Sequence, residues 1–132
     1  MIVVDTSALT AILRNEPDAR SFAAALADAD GALISAATRI ELFVSRLRSA
    51  NAEAAEEAEQ LVAAAELVTV AVDDAQVAAA MTGYAQFGRG NGAGGTLNFG
   101  DCFSYALART RGLPLLFKGD DFRATDVEPA LP

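Results

Sequence analysis

The chain contains no histidine, and Cys102 is the single cysteine among its 132 residues. A lone cysteine cannot form an internal disulfide, and without histidine it cannot complete the ligand set of a structural zinc site. The missing imidazole also excludes the histidine base that activates the nucleophile in many hydrolases. Catalysis by this chain must therefore use other side chains or a bound cofactor.

Long hydrophobic runs are also missing. No apolar stretch of the sequence approaches the roughly 18 to 20 residues that a membrane-spanning helix needs. The N-terminus, MIVVDTSAL, lacks the basic segment, the longer apolar stretch and the small-residue cleavage site of a secretory signal. The expectation is a cytoplasmic protein without a membrane segment, and the length predicts one domain over residues 1–132.

Positive charge is scarce. Ten Lys plus Arg stand against eighteen Asp plus Glu, which gives a net charge of −8. Proteins that hold nucleic acid by bulk electrostatics have the opposite balance. Any contact with nucleic acid is therefore expected to be local and metal-assisted, whereas a basic protein partner would be attracted to this chain.

Short apolar segments alternate with helical patterns along the chain. Strands are predicted at residues 2–4, 32–35, 67–72 and 113–117. Helices are predicted at residues 8–13, 17–29, from residue 36, at 51–66 and 73–87, and from the cap Asn98 to residue 111, with Pro17 at the first position of the second. This alternation predicts an α/β fold with a parallel sheet.

Two further segments carry a clear local pattern. Ile40, Val44 and Leu47 recur at i, i+4 and i+7 and form one apolar stripe on the third helix. Residues 88–95, GRGNGAGG, include five glycines and show no hydrophobic periodicity, which predicts a mobile surface loop.

Asp5 directly follows the first predicted strand. In an open parallel sheet, ligands bind beyond the carboxyl ends of the strands, so this position suits a functional acid. Asp5, Thr6 or Ser7 is equally suited to cap the helix that follows. From position alone, both interpretations stay open.

Glu41 and Asp101 are two further candidate acids. Glu41 lies beside the apolar stripe without a basic residue three or four positions away, although a solvated surface glutamate would show the same pattern. Asp101 lies in the first turn of a helix that Asn98 can cap, where the helix dipole alone would favour a carboxylate. Gly100, just before it, permits another group to approach the backbone closely.

Asp120 and Asp121 follow the fourth predicted strand, where Gly119 allows a tight turn. This is again the carboxyl end of a strand, so at least one of the two acids is expected to face the same crevice. An Asp-rich turn that caps a short helix is the alternative.

Several carboxylates at one crevice repel one another unless they are protonated or a cation neutralises them. Oxygen ligands without His or Cys suit Mg²⁺ or Mn²⁺, and such ions keep coordination positions for water and substrate phosphate. They activate water for attack on phosphodiesters. The acids therefore predict hydrolytic phosphoryl chemistry.

Four motifs taken together resemble one known family. MIVVDTSAL, the helix with Glu41, LNFGDCFSYALA and LLFKGDDF are similar, in this order, to motifs of the PIN-domain ribonucleases and especially of VapC-type toxins. The resemblance covers essentially the whole chain. It implies a three-layer α/β/α sandwich with a short parallel sheet, and a magnesium-dependent endoribonuclease that cuts structured RNA such as tRNA or ribosomal RNA.

The resemblance also implies roles for single residues. Asp5 and Asp101 would hold the metal directly, and Glu41 would bind it through water or help to activate the attacking water. Asp120 is the preferred fourth acid, and Asp121 is the alternative. Thr6 or Ser7 would hold the acidic side chains in place without binding the metal itself.

The partners implied by the resemblance are a second copy, in a homodimer, and a VapB-type antitoxin whose tail enters the acidic groove. Four basic residues are candidates for contact with RNA phosphates, although most basic surface residues have no such role: Arg39, Arg46, Arg89 and Lys118.

Two other functions are compatible with parts of the sequence. In a phosphoryl-accepting domain Asp5 would be the nucleophile, but such folds call for a further Asp at the position of Ser7 or an acid pair on the first strand. In a non-catalytic interaction module the acidic groove would only bind a basic peptide. The intact set of Asp5, Glu41 and Asp101 favours the enzyme.

Overall fold

A computed structural model describes residues 1–91 and 94–132. Its strands are β1 (Ile2–Val4), β2 (Ala32–Ser35), β3 (Val68–Val70) and β4 (Leu115–Leu116). Its helices are α1 (Thr6–Leu13), α2 (Ala19–Asp28), α3 (Ala36–Ser49), α4 (Ala52–Ala64), α5 (Asp74–Phe87) and α6 (Asp101–Arg111). No helix of this described part is long and apolar enough to cross a membrane.

The four strands form one parallel sheet in the order β3-β2-β1-β4. The chain builds outward from β1 to β2 and β3, and then returns to place β4 on the other side of β1. The strand order therefore reverses between β1 and β4, which is where α/β sheets open a crevice for ligands beyond the carboxyl ends of the strands.

Strands β1, β2 and β4 are largely buried, whereas the edge strand β3 is mostly exposed. Consecutive strand residues point to opposite faces of the sheet, so the buried strands contribute to two separate clusters. Val4, Ile34 and Leu116 belong to one hydrophobic cluster, which they share with residues of α1, α2 and α4. Val3 and Leu33 belong to a second cluster, which includes residues of α6 and of the C-terminal segment. These two clusters confirm the three-layer α/β/α sandwich.

The starts of the first two helices differ from the sequence predictions because local hydrogen bonds set them. Helix α1 begins at Thr6 and not at residue 8, because the Asp5 side chain accepts a hydrogen bond from the Ser7 backbone N–H. Helix α2 begins after Pro17 and not at it, since Ala19 N–H donates to the Glu16 carbonyl and closes a turn that contains the proline.

The apolar stripe of α3 faces outward. Ile40 is 65% exposed and Val44 and Leu47 are each 43% exposed, whereas the helix buries Thr38 and Leu42. The buried side of α3 packs against its neighbouring helices, α4 above all. The periodicity therefore identified a continuous apolar face, but this face lies on the surface of the chain.

The predicted mobile loop at residues 88–95 includes residues 92 and 93, which lie outside the described residues. Next to them, Gly88 and Leu97 form an isolated parallel bridge. The Asn91 side-chain amide donates to the Tyr84 and Ala85 carbonyls at the end of α5.

Candidate active site

A polar cavity of about 360 Å³ lies at the carboxyl edge of the sheet. Four acids line it, and each comes from a different part of the chain: Asp5 after β1, Glu41 on α3, Asp101 on α6 and Asp121 after β4. The remaining lining residues are Thr6, Ser7, Thr10, Ser45, Asn98, Lys118 and Phe122. The cavity occupies the crevice that the reversal of strand order opens.

Asp5 is 3% exposed, and three hydrogen bonds hold its carboxylate. Oδ2 accepts from the Ser7 N–H at 3.1 Å and from the Ser7 hydroxyl at 2.7 Å, and Oδ1 accepts from the Ser104 hydroxyl at 2.7 Å. The Lys118 N–H donates to Ser7 Oγ at 3.0 Å and so connects the end of β4 to Asp5. The Asp5 side chain therefore both caps α1 and lines the cavity.

Asp101 and Asn98 cap the start of α6 reciprocally. The Asp101 N–H donates to Asn98 Oδ1 at 2.9 Å, and the Asn98 N–H donates to Asp101 Oδ2 at 3.0 Å. Burial raises the pKa of Asp101 to about 7; the Asn98 N–H lowers this pKa, while the charges of Asp5 and Asp121 raise it. A cation at this place would relieve the cost of the ionised carboxylate.

Glu41 lies against the backbone of the segment that leads into α6. Its carboxylate occupies the space in which a Cβ at Gly100 would stand, so Gly100 permits the approach. Thr6 Oγ1 donates to Glu41 Oε1 at 3.5 Å. Burial raises the pKa of Glu41, as does the charge of Asp5, while the Thr6 hydroxyl lowers it.

The two aspartates after β4 point in different directions. Asp121 lines the cavity and interacts with Asp101, whereas the Asp120 side chain is 92% exposed and lies 3.6 Å from Arg123. The structure therefore brings Asp121 to the other three acids and leaves Asp120, the preferred candidate of the sequence analysis, outside. A role for either acid in catalysis stays a prediction.

Thr38 and Ser104 are two residues that the sequence analysis did not assign to the site. Both are fully buried, their hydroxyl oxygens lie 3.2 Å apart, and Ser104 contacts Asp5. Thr38 lies three residues before Glu41, and Ser104 lies three residues after Asp101. This helical spacing from an acid is the signal that could have identified them.

Two of the basic residues proposed to contact RNA are already paired. Arg39 donates to both carboxylate oxygens of Glu59, and the Lys118 ammonium contacts Glu16 and Asp18. The other two, Arg89 and Arg46, are exposed and half-buried, respectively. Strong phosphate binding by Arg39 or Lys118 would require the loss of an ion pair.

The donor set of the cavity has the chemistry that Mg²⁺ and Mn²⁺ prefer, because it consists of carboxylate and hydroxyl oxygens. Within residues 1–91 and 94–132, no three Asp, Glu or Cys side chains lie close enough together to enclose one ion as they stand. The acids would have to turn toward a metal when it binds.

Comparison with known proteins identifies the class. A family model described as "PIN domain" matches residues 2–128. Ribonuclease VapC28 of Mycobacterium tuberculosis is 45% identical over 130 residues, which cover 98% of either chain. The chain therefore belongs to the PIN domain family, and within it the chain is similar to VapC ribonucleases.

Solved structures show the same fold. One is a Mycobacterium tuberculosis toxin, VapC20, described as cleaving the Sarcin-Ricin loop; it has a TM-score of 0.75 and 18% identity and covers 96% of both chains. Another is VapBC2 from Rickettsia felis, bound to a DNA fragment from its promoter, with a TM-score of 0.75 and 13% identity over 98% of this chain and 96% of that chain. At these identities the likeness establishes the fold.

Proposed function

We propose that this chain is a Mg²⁺-dependent endoribonuclease that hydrolyses RNA phosphodiester bonds as the toxic component of a type II toxin–antitoxin system. The observation that carries the proposal is the convergence of four carboxylates, from four separate elements, on one cavity. Membership of the PIN family and 45% identity to a VapC ribonuclease support RNA as the substrate.

In this proposal Asp5, Asp101 and Asp121 hold the metal ion. A bound Mg²⁺ supplies charge stabilisation at the phosphate and a more acidic water. Glu41 accepts the proton of the attacking water at its carboxylate, and its raised pKa makes it a better base than a surface glutamate. Ser7 and Ser104 keep the Asp5 carboxylate in place during the reaction.

The proposed partner of the acidic cavity, besides RNA, is a VapB-type antitoxin. A net charge of −8 and an acid-lined groove favour a basic peptide segment, which would block the cavity and neutralise the toxin. The likeness to the VapBC2 toxin of a solved complex supports such a partner. Cytoplasmic RNA, either tRNA or ribosomal RNA, is the proposed target.

A second copy of the chain is the proposed partner of an apolar groove between α5 and α6. The groove has a volume of about 640 Å³ and is lined by mostly apolar side chains, and among these Met81 is 64% exposed and Phe99 is 77% exposed. A surface of this kind marks a protein interface. Light scattering after size-exclusion chromatography tests it: we expect a dimer for the wild type and a monomer for Met81→Glu, and a monomeric wild type would contradict it.

The nuclease proposal is tested with purified protein, free of antitoxin, and total cellular RNA in Mg²⁺ and in EDTA. We expect discrete new 5′ ends that require Mg²⁺ and disappear in Asp5→Asn. Asp120→Asn is the matched control, because this neighbouring aspartate faces solvent, and it should still cut. Cutting that survives both EDTA and Asp5→Asn would contradict metal catalysis. If the wild type neither cuts nor binds Mn²⁺, the non-catalytic interaction module would replace the proposal.

A further inference from the structure

The two carboxylate oxygens of Asp5 are not equivalent. Oδ2 accepts two hydrogen bonds, both from Ser7, whereas Oδ1 accepts one, from Ser104. A carboxylate oxygen has two lone pairs. Among the described residues, Oδ2 is therefore saturated and Oδ1 keeps one lone pair without a donor.

The direction of the hydrogen bonds behind Oδ1 follows from counting protons. An ionised carboxylate only accepts, so Ser104 uses its single hydroxyl proton for Asp5. The bond between Thr38 Oγ1 and Ser104 Oγ, 3.2 Å long, must then be donated by Thr38. The result is a directed relay from Thr38 through Ser104 to Asp5, in which each bond polarises the next one.

The relay connects the three parts of the chain that carry Asp5, Glu41 and Asp101. Thr38 and Glu41 share α3, Ser104 and Asp101 share α6, and Asp5 follows β1. Thr38 and Ser104 have no exposed surface, so water does not compete for their hydroxyl groups. The relay thus fixes the position of Asp5 relative to both acid-bearing helices.

We propose that Thr38 and Ser104 are positioning residues that turn Asp5 so that Oδ1, with its remaining lone pair, is the oxygen offered to the metal. The inference rests on the proposed function, since it assumes that Asp5 is a metal ligand. Small ions such as Mg²⁺ and Mn²⁺ demand strict geometry, so an Asp5 held only through Oδ2 by Ser7, with Oδ1 no longer fixed, would bind them less tightly.

The test uses Mn²⁺ as the probe and requires no substrate. Thr38→Val removes the hydroxyl group and keeps the shape, whereas Thr38→Ser keeps the hydroxyl group and removes a methyl group. Ser104→Ala removes the direct donor to Asp5. Thr110→Val, which deletes a hydroxyl group bonded only within the same helix, is the matched control. Mn²⁺ affinity is measured by calorimetry, the bound ion by electron paramagnetic resonance, and folding by thermal melting in EDTA.

We expect Ser104→Ala and Thr38→Val to weaken Mn²⁺ binding by about 10- to 100-fold and to broaden the resonance of the bound ion, while Thr38→Ser and Thr110→Val bind like the wild type. If Thr38→Val and Thr38→Ser bind Mn²⁺ with equal affinity, the proposal is overturned. This comparison remains decisive even if Ser104→Ala fails to fold. If the wild type and Asp5→Asn bind Mn²⁺ equally, the proposed metal site itself fails, which is a different result.

Discussion

The Glu41 carboxylate occupies the space in which a Cβ at residue 100 would stand. This contact lets α3 bring its acid against the start of α6, one residue before Asp101. Gly100 itself has helical torsion angles, with φ −62° and ψ −37°, so its backbone does not require glycine. What requires glycine at this position is the room that the Glu41 side chain needs.

Gly100→Ala should therefore inactivate the protein without unfolding it. The added methyl group pushes the Glu41 carboxylate out of place, and a displacement of about 1 Å in a catalytic group costs about 100-fold in rate. The free energy of unfolding should change by less than about 1 kcal/mol, because alanine suits helical torsion angles. RNA cleavage assays and urea denaturation measure the two effects.

Gly112→Ala is the matched control, and it should show the opposite behaviour. Gly112 ends α6 with φ +62°, and no atom lies within 4 Å of a Cβ built there. Alanine in this left-handed conformation costs about 1 kcal/mol of stability, while cleavage by the folded protein should be unchanged. Full activity in Gly100→Ala would show that the position of Glu41 is not critical.

Asp121 and Asp120 should differ in their effect on activity. Asp121→Asn should lower Mn²⁺ affinity and RNA cleavage by about 10- to 100-fold, because this side chain lines the cavity and interacts with Asp101. Asp120→Asn breaks only an exposed contact with Arg123, which contributes at most about 1 kcal/mol to stability. The reverse order of effects would assign the fourth acid to Asp120.

Asp101 should make the stability of the metal-free protein depend on pH. Its pKa is raised from 3.8 to about 7, so the folded state holds this proton over a pH range in which the unfolded chain has lost it. Stability then falls as the pH rises between these two values and stays low above them. We expect Asp101→Asn to remove this fall, because asparagine carries no charge and can still accept the Asn98 N–H.

Thermal melting in EDTA from pH 4 to pH 8 measures the effect of Asp101. Added Mn²⁺ at pH 8 should raise the melting temperature of the wild type and have little effect on the variant, since the ion binds the ionised carboxylate. If the melting temperatures of the wild type and Asp101→Asn change with pH in the same way across this range, the Asp101 carboxyl group titrates at its ordinary pKa.

Gly83→Ala should destabilise the packing of α6 on α5. A Cβ at Gly83 would collide with the ring of Tyr105, whose hydroxyl donates to Asp126 at 2.8 Å and holds the ring in place. Overpacking should cost about 1 to 3 kcal/mol of stability, which exceeds the up to about 1 kcal/mol that alanine gains through its higher helix propensity. Chemical denaturation of Gly83→Ala, Tyr105→Leu and the double variant measures the coupling: we expect Gly83→Ala to cost less in the Tyr105→Leu background.

Much of the fold follows from local pattern. The buried apolar segments at residues 2–4 and 32–35 predicted β1 and β2 within their bounds, and alternation with helices predicted the parallel sheet. Strand carboxyl ends meet at one edge of such a sheet, so the positions after the strands were informative. For this reason the sequence alone made Asp5 a candidate for the crevice, beside its alternative as a helix cap.

Other features depended on which groups pack together in space. The period of Ile40, Val44 and Leu47 identified one face of α3 but not the direction in which it points, because that direction is decided by helices from other parts of the chain. Ser104 contacts Asp5 across 99 residues of sequence, and no local pattern encodes such a contact.

The sequence by itself determined the class of fold, the scarcity of basic charge and the acids that stand after strands or at helix starts, since these depend on composition and short-range periodicity. Only the tertiary structure decided which of Asp120 and Asp121 lines the cavity. Two adjacent side chains in one turn point to different sides, and the turn at Gly119, with φ +96°, together with the packing of Phe122 into the core, sets which one enters the cavity.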